Sequence, residues 1–183
     1  GEKENKMGWR ASDTRSVSFE NMEVNFLNML YFSKNGIDKF FKSHTPGWIS
    51  IGASSIGTAK EAHQKALRYS NDRFAFNKPI NHFQSNSFKL ADMVTKIEES
   101  EILVYHASWL RDKGENFIKK AAMPKLYAGE VVMGITRKAI QIHEGYGYVN
   151  EYDVERFFRD VKILEIVNGT SETQRLTIPI EII

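Results

Sequence analysis

Apolar and polar positions along the chain change period once. Over residues 1–27 they alternate, and Ser16-Val-Ser-Phe-Glu20 and Met22-Glu-Val24, parted by a turn at Glu20-Asn21, predict two short strands. A strand pair needs a sheet or a helical face to lean on, so this stretch reads as the end of a β unit. From about Gly36 the spacing becomes helical. Ile37, Phe40 and Phe41 open a stripe that His44-Thr-Pro-Gly47 is expected to stop, because an interior proline costs about 3 kcal/mol. A second helix is predicted from Ile49 to roughly Ser70, with Ile49, Ile56, Ala59, Ala66 and Leu67 facing inward. Its small-sided start, Gly52-Ala-Ser-Ser-Ile-Gly57, suits either close helix packing or the approach of a flat ligand.

Arg73-Phe-Ala-Phe-Asn-Lys-Pro79 reads as a loop. A long helix follows from about Asn81 to Lys113, with Leu90, Val94, Ile97 and Val104 as its stripe, widened by Ala91, Ile102, Tyr105 and Trp109, and Gly114 ends it. The next helix runs from about Ile118 to His143 with Ala122, Leu126, Met133, Thr136 and Ile140 on one face. Pro124 implies a start near Met123 or a kink. A short helix from Val154 to about Ile163 and a last one from Thr170 to Ile183, with Pro179 inside it, complete the pattern. The fold class is therefore mainly α, an antiparallel up-and-down helical bundle preceded by a short β-strand fragment.

Composition narrows the function classes. The 183 residues carry a net charge of +2 with Lys and Arg dispersed, so no nucleic-acid footprint is implied. There is no cysteine, hence no disulfide, thiolate metal site or thiol nucleophile. No apolar run approaches a membrane span, and residues 1–20 lack a signal-peptide core. A di-iron bundle would need Glu-x-x-His pairs, and none occurs; no metal site is expected. The Gly52–Thr58 stretch lacks the lysine of a phosphate loop. What remains is Glu165-Ile-Val-Asn-Gly-Thr-Ser-Glu-Thr-Gln-Arg175, a loop turning into a helix whose free N–H groups suit a capping hydroxyl or a polar ligand.

Four blocks in this order resemble the acyl-CoA dehydrogenase family: Gly8-Trp-Arg-Ala-Ser-Asp-Thr-Arg15; Arg73-x-x-Phe76 with Phe83-Gln84; Gln141-Ile-His-Glu-Gly-Tyr-Gly-Tyr148; and Asn168-Gly-Thr-Ser-Glu172 with Gln174-Arg175. Phe88-Lys-Leu-Ala-Asp-Met93 and Val154-Glu-Arg-x-x-Arg-Asp160 extend the likeness. The resemblance implies that residues 1–27 are the end of the family's middle β domain and 28–183 its C-terminal helical domain, with the rest of the family's length missing. It implies FAD held across a subunit interface in a homotetramer. It also implies oxidation of an acyl-CoA thioester to the 2-enoyl thioester, a glutamate base, and reoxidation by an electron-transferring flavoprotein. The compartment implied is the cytoplasm, or the mitochondrial matrix in a eukaryote. Carried over by position, Arg73 meets the FAD pyrophosphate, and Phe76, Phe83 and Gln84 line the dinucleotide. Gln141, Glu144 and Gly145 present a loop to the FAD of a neighbouring subunit, and Thr170 and Glu172 touch the cofactor too.

The departures from the family pattern carry equal weight. The base position, where glutamate is expected, holds Asn168, whose amide accepts no proton at neutral pH. The alternative base position on the first long helix holds Gly47, and the arginine usual beside it is Trp48. Glu144 replaces one glycine of a Gly-Gly pair, and Asn77 replaces the glycine after Phe76. Two expectations follow: a dehydrogenase-like chain with impaired or absent catalysis, or a non-catalytic helical module retained for assembly.

Overall fold

A computed structural model describes residues 1–29 and 36–180, and of residues 36–38 and 40–42 the backbone alone. The expected stripe of Ile37, Phe40 and Phe41 and the last residues, 181–183, therefore lie outside the described side chains. Five helices carry the fold: α1 (Gly36–Asp72), α2 (Gln84–Asp112), α3 (Ile118–His143), α4 (Val154–Val161) and α5 (Ser171–Ile180). An antiparallel pair, β1 (Phe74–Ala75) and β2 (Lys78–Pro79), joins α1 to α2. Short 3-10 helices cover Phe26–Asn28, Ile80–His82, Glu144–Tyr148 and Lys162–Glu165. The architecture is the mainly α bundle that the periodicity predicts. α3 lies at its centre, packing on α1, α2, α4 and α5. Its buried stripe of Ala121, Ala128, Val132, Ile135, Ala139 and Ile142 is small enough to let those neighbours close in.

Several expectations change. The chain does not stop at Pro46: α1 runs unbroken through it for 37 residues. Proline removes one hydrogen bond there, but Thr45, Trp48 and Ile49 are all buried around it, and tertiary burial outweighs the local cost. Pro124 and Pro179 likewise sit inside α3 and α5. The strands expected at residues 16–24 do not form; Val17, Phe19, Met22 and Val24 are exposed, and the region's ladder is reduced to one bridge between Lys3 and Arg15. No third strand is paired with them among the described residues, so the pairing has nothing to lean on. Residues 1–29 instead touch the bundle at α4. The Trp9 N–H donates to Asp160 Oδ1 at 2.7 Å, and the Arg159 guanidinium donates to the Met7 carbonyl at 2.9 Å. Gly8 allows that approach, since a Cβ there would lie 2.5 Å from the Arg159 carbonyl oxygen.

The two-stranded sheet appears where a loop was expected, at 74–79. Phe76 and Asn77 both take positive φ, 51° and 61°, the conformation of a two-residue hairpin turn. On α2 the buried face is Leu90, Met93, Ile97, Ser100, Val104, Ala107 and Leu110. Val94, Ile102, Tyr105 and Trp109, assigned inward by the sequence pattern, are exposed, as is Leu67 on α1. An apolar stripe wider than one face does not say which side meets the core. Gly114, at φ 72°, ends α2 with the Glu115 N–H on the Leu110 carbonyl and its own N–H on the Arg111 carbonyl. Of the two readings of the small-sided segment, packing holds at Gly52, where a Cβ would stand 2.9 Å from Val104 Cγ2.

Candidate functional site

The structure sorts the candidate residues into two groups, one beside Gly47 within α1 and one around the C-terminal end of α1. The first lies around the turn between the Lys162–Glu165 helix and α5. Asn168 takes φ 57° and Gly169 φ 95°, so the chain reverses there before Thr170 starts the helix. Thr170 caps α5, its hydroxyl accepting the Thr173 N–H at 3.3 Å. The Glu172 carboxyl is held below its ordinary pKa, first by its own backbone N–H and then by the Thr170 hydroxyl. The turn is pinned to α1 by Trp48, 6% exposed, whose indole Nε1–H donates to the Asn168 carbonyl at 2.8 Å. Beside it, a Cβ on Gly47 would come within 2.3 Å of Asn168 Nδ2. The two positions at which the resemblance places a base therefore meet in space, and neither holds a carboxylate. An amide at 168 over a bare backbone at 47 can donate or accept hydrogen bonds but cannot take up a proton at neutral pH.

Polar groups to which the sequence assigned no role lie beneath this turn. Lys125 is fully buried in α3, and its ammonium donates to the Glu165 carbonyl at 3.3 Å. Burial pushes its pKa down, while the charges of Glu165 and Glu172 oppose the shift. Ser171 Oγ and both amide atoms of buried Gln174 have no partner among the described residues. A lysine at helical spacing between Ala122 and Gly129, inside the apolar stripe of α3, was the signal available. On the outer side of the turn, Met7, Trp9, Ile163, Ile166 and Val167 line an apolar hollow of about 460 Å3.

The second group surrounds the far end of α1. Arg73 follows the helix, is exposed, and makes no ion pair among the described residues. Phe76 projects from the hairpin, 90% exposed, with its ring edge-on to Phe83 at 6.2 Å; Lys78 lies over the Phe83 ring at 4.2 Å. Gln84 opens α2, and Gln141, Glu144 and Gly145 lie exposed at the end of α3. Glu144 is strained, with φ 55° and ψ −132°, a region that suits glycine. Between these elements Lys65, Tyr69, Arg73, His143, Tyr146 and Tyr152 line a cleft of about 610 Å3. Tyr69 stacks on His143 at 4.3 Å, and its buried hydroxyl has no partner among the described residues. Burial raises the Tyr69 pKa; Arg73 opposes this and Glu144 adds to it, which places both charges around one phenol. His143, 3% exposed, shares a hydrogen bond between Nδ1 and the Ala139 carbonyl at 2.8 Å, and burial lowers its pKa.

The donor set at this end fits a dinucleotide in part. An unpaired guanidinium, open space over Gly145 and exposed aromatic rings suit phosphate and flat rings. The Glu144 carboxylate opposes a second anion. Gly47 and Asp72 are separated by roughly 38 Å of helix, so a compact ligand cannot touch both groups of one chain. Among the described residues no cluster of His, Asp or Glu could hold a metal ion, and no helix is long and apolar enough to cross a membrane.

The family model described as the C-terminal domain of acyl-CoA dehydrogenase matches residues 35–182. A probable acyl-CoA dehydrogenase of Bacillus subtilis is 43% identical over 173 residues, 94% of this chain and 46% of that protein. The caffeyl-CoA reductase-Etf complex subunit CarC of Acetobacterium woodii is 39% identical over 178 residues, 97% of this chain and 47% of that protein. The structure of butyryl-CoA dehydrogenase from Megasphaera elsdenii overlays with a TM-score of 0.96 at 40% identity, covering all of this chain and 48% of that one. The chain thus spans about half the length of the curated relatives it matches. A bundle of this topology, with the Asn168 turn and the Arg73 hairpin at its two ends and this breadth of match, belongs to the acyl-CoA dehydrogenase family.

Proposed function

We propose that this chain forms part of an FAD-dependent, acyl-CoA dehydrogenase-type site shared between subunits of a homo-oligomer, a tetramer, with α-proton abstraction impaired because position 168 carries an amide. In this reading residues 1–27 end a middle β domain and 28–183 form the C-terminal helical domain. The observation that carries the proposal is the meeting of Gly47 and Asn168: both places for a base coincide, and both lack one. The roughly 38 Å between the two groups supports a cofactor contacted by two copies of the chain.

Arg73 would hold the pyrophosphate, with Phe76, Phe83 and Gln84 along the dinucleotide and Gln141, Glu144 and Gly145 closing over it from the end of α3. Thr170 and Glu172 would meet the cofactor of their own subunit. FAD, when bound, supplies the hydride acceptor. The chain's own task is to place the acyl group, exclude water and hold a base at its α carbon. The apolar hollow beside Val167 suits the first of these. Loss of a general base removes about 10²–10⁴ in rate. An electron-transferring flavoprotein is the partner this reading names, in keeping with the Etf-complex relative. The cytoplasm, or the matrix of a mitochondrion, is the compartment.

A second reading, a non-catalytic assembly subunit, is favoured by the apolar face that α2 leaves exposed, Ile102, Tyr105 and Trp109. A visible spectrum and a dye-coupled acyl-CoA oxidation assay separate the two. A flavin spectrum with negligible turnover, rising in Asn168→Glu, is the expected result. Robust turnover by the unaltered protein overturns the impaired-base reading, and absence of flavin favours the assembly subunit.

A further inference from the structure

Asn168 is followed by Gly169, and that dipeptide has a reaction of its own. The backbone nitrogen after an asparagine can attack the side-chain amide carbon, closing a cyclic imide and releasing ammonia. Water then opens the ring at either carbonyl, leaving aspartate or isoaspartate. The sum is amide plus water giving carboxylate plus ammonium, with no change of oxidation state. Glycine favours the first step because no side chain shields its nitrogen and its backbone is free to turn.

We propose that Asn168 is a site of self-modification, converted in the folded protein to a carboxylate at the position where the family reading requires a base. Three observations carry this. The Gly169 N–H makes no hydrogen bond among the described residues, so the attacking nitrogen is unengaged. The Asn168 side-chain amide also makes none; it rests against Gly47, where the missing side chain leaves it room. The Trp48 indole N–H holds the Asn168 carbonyl at 2.8 Å, drawing electron density from the peptide unit whose nitrogen must lose its proton. Both residues are half-buried, so water can reach the ring. The product aspartate would be one methylene shorter than glutamate, and isoaspartate would shift the backbone as well. This assignment of purpose rests on the reading of position 168 as the base position; the chemistry does not.

The test ages the full-length native protein at mildly alkaline pH and maps its tryptic peptides. The peptide spanning Ile163–Arg175 carries Asn168 alone, and the chain's other Asn-Gly pair, Asn35-Gly36, lies on a separate peptide as an internal comparison. The expected result is the amide-to-carboxyl mass increase at 168, with isoaspartate detected by enzymatic methylation, on the same timescale as in the chain unfolded in urea. Trp48→Phe should slow it severalfold relative to the unaltered protein. Asn168 left intact in the native protein while the unfolded chain converts overturns the proposal. Aged protein and Asn168→Asp, each loaded with FAD, then test purpose. Conversion without acyl-CoA oxidation in either leaves the modification standing and removes the base reading.

Discussion

Glu144 occupies a backbone conformation that costs a residue with a Cβ about 1–3 kcal/mol. Its charge and that of Arg73 act on the Tyr69 phenol in opposite directions. Glu144→Gly is expected to raise stability by about 1 kcal/mol, read as a higher urea midpoint, and to tighten FAD binding, read by flavin fluorescence. His143 sets a pH dependence. Burial lowers its pKa below the ordinary 6.5, so the unfolded chain takes up the proton first as pH falls. Its contribution is intact above that value and declines as pH drops through the window below it; His63, also lowered by burial, acts in the same direction. Urea midpoints should therefore fall from neutral toward mildly acidic pH, and His143→Gln should flatten that slope. The motif around His143 assigns it no role; its burial, its hydrogen bond to the Ala139 carbonyl and its stacking on Tyr69 are tertiary features.

At the scale of elements, face assignment decides energetics. Ile135 in α3 is fully enclosed, and Ile135→Ala should cost about 2–5 kcal/mol, whereas Val94→Ala on α2 should change stability by less than about 0.5 kcal/mol. Equal losses in chemical denaturation would show that the two faces are misassigned. The unbroken α1 is the element that matters most for the site. It fixes the distance between Gly47 and the Arg73 end. Pro46 argued locally for a stop, and the burial of Thr45, Trp48 and Ile49 overrode it. Helix existence was legible from periodicity nearly everywhere, and ends were legible where a glycine such as Gly114 takes positive φ. The hairpin at 74–79 was not, because its turn residues are Phe76 and Asn77 and not the usual Asn-Gly.

For the whole molecule, the exposed row of Ile102, Tyr105 and Trp109 on α2 is the surface expected to meet other copies. Ile102→Lys with Trp109→Lys should lower the oligomeric state in sedimentation velocity while leaving the helical circular dichroism unchanged. Oligomers of unaltered size would move the interface elsewhere. The sequence by itself determined the helical class, the order of the helices, the family likeness and the amide at 168, because periodicity and residue chemistry are local properties. Tertiary structure alone decided that Gly47 and Asn168 share one place, that Trp48 holds the turn between them, and that Arg73 stands far from both. Those are distances between residues remote in the chain. They depend on how α1 and the α5 turn pack, which no local pattern encodes.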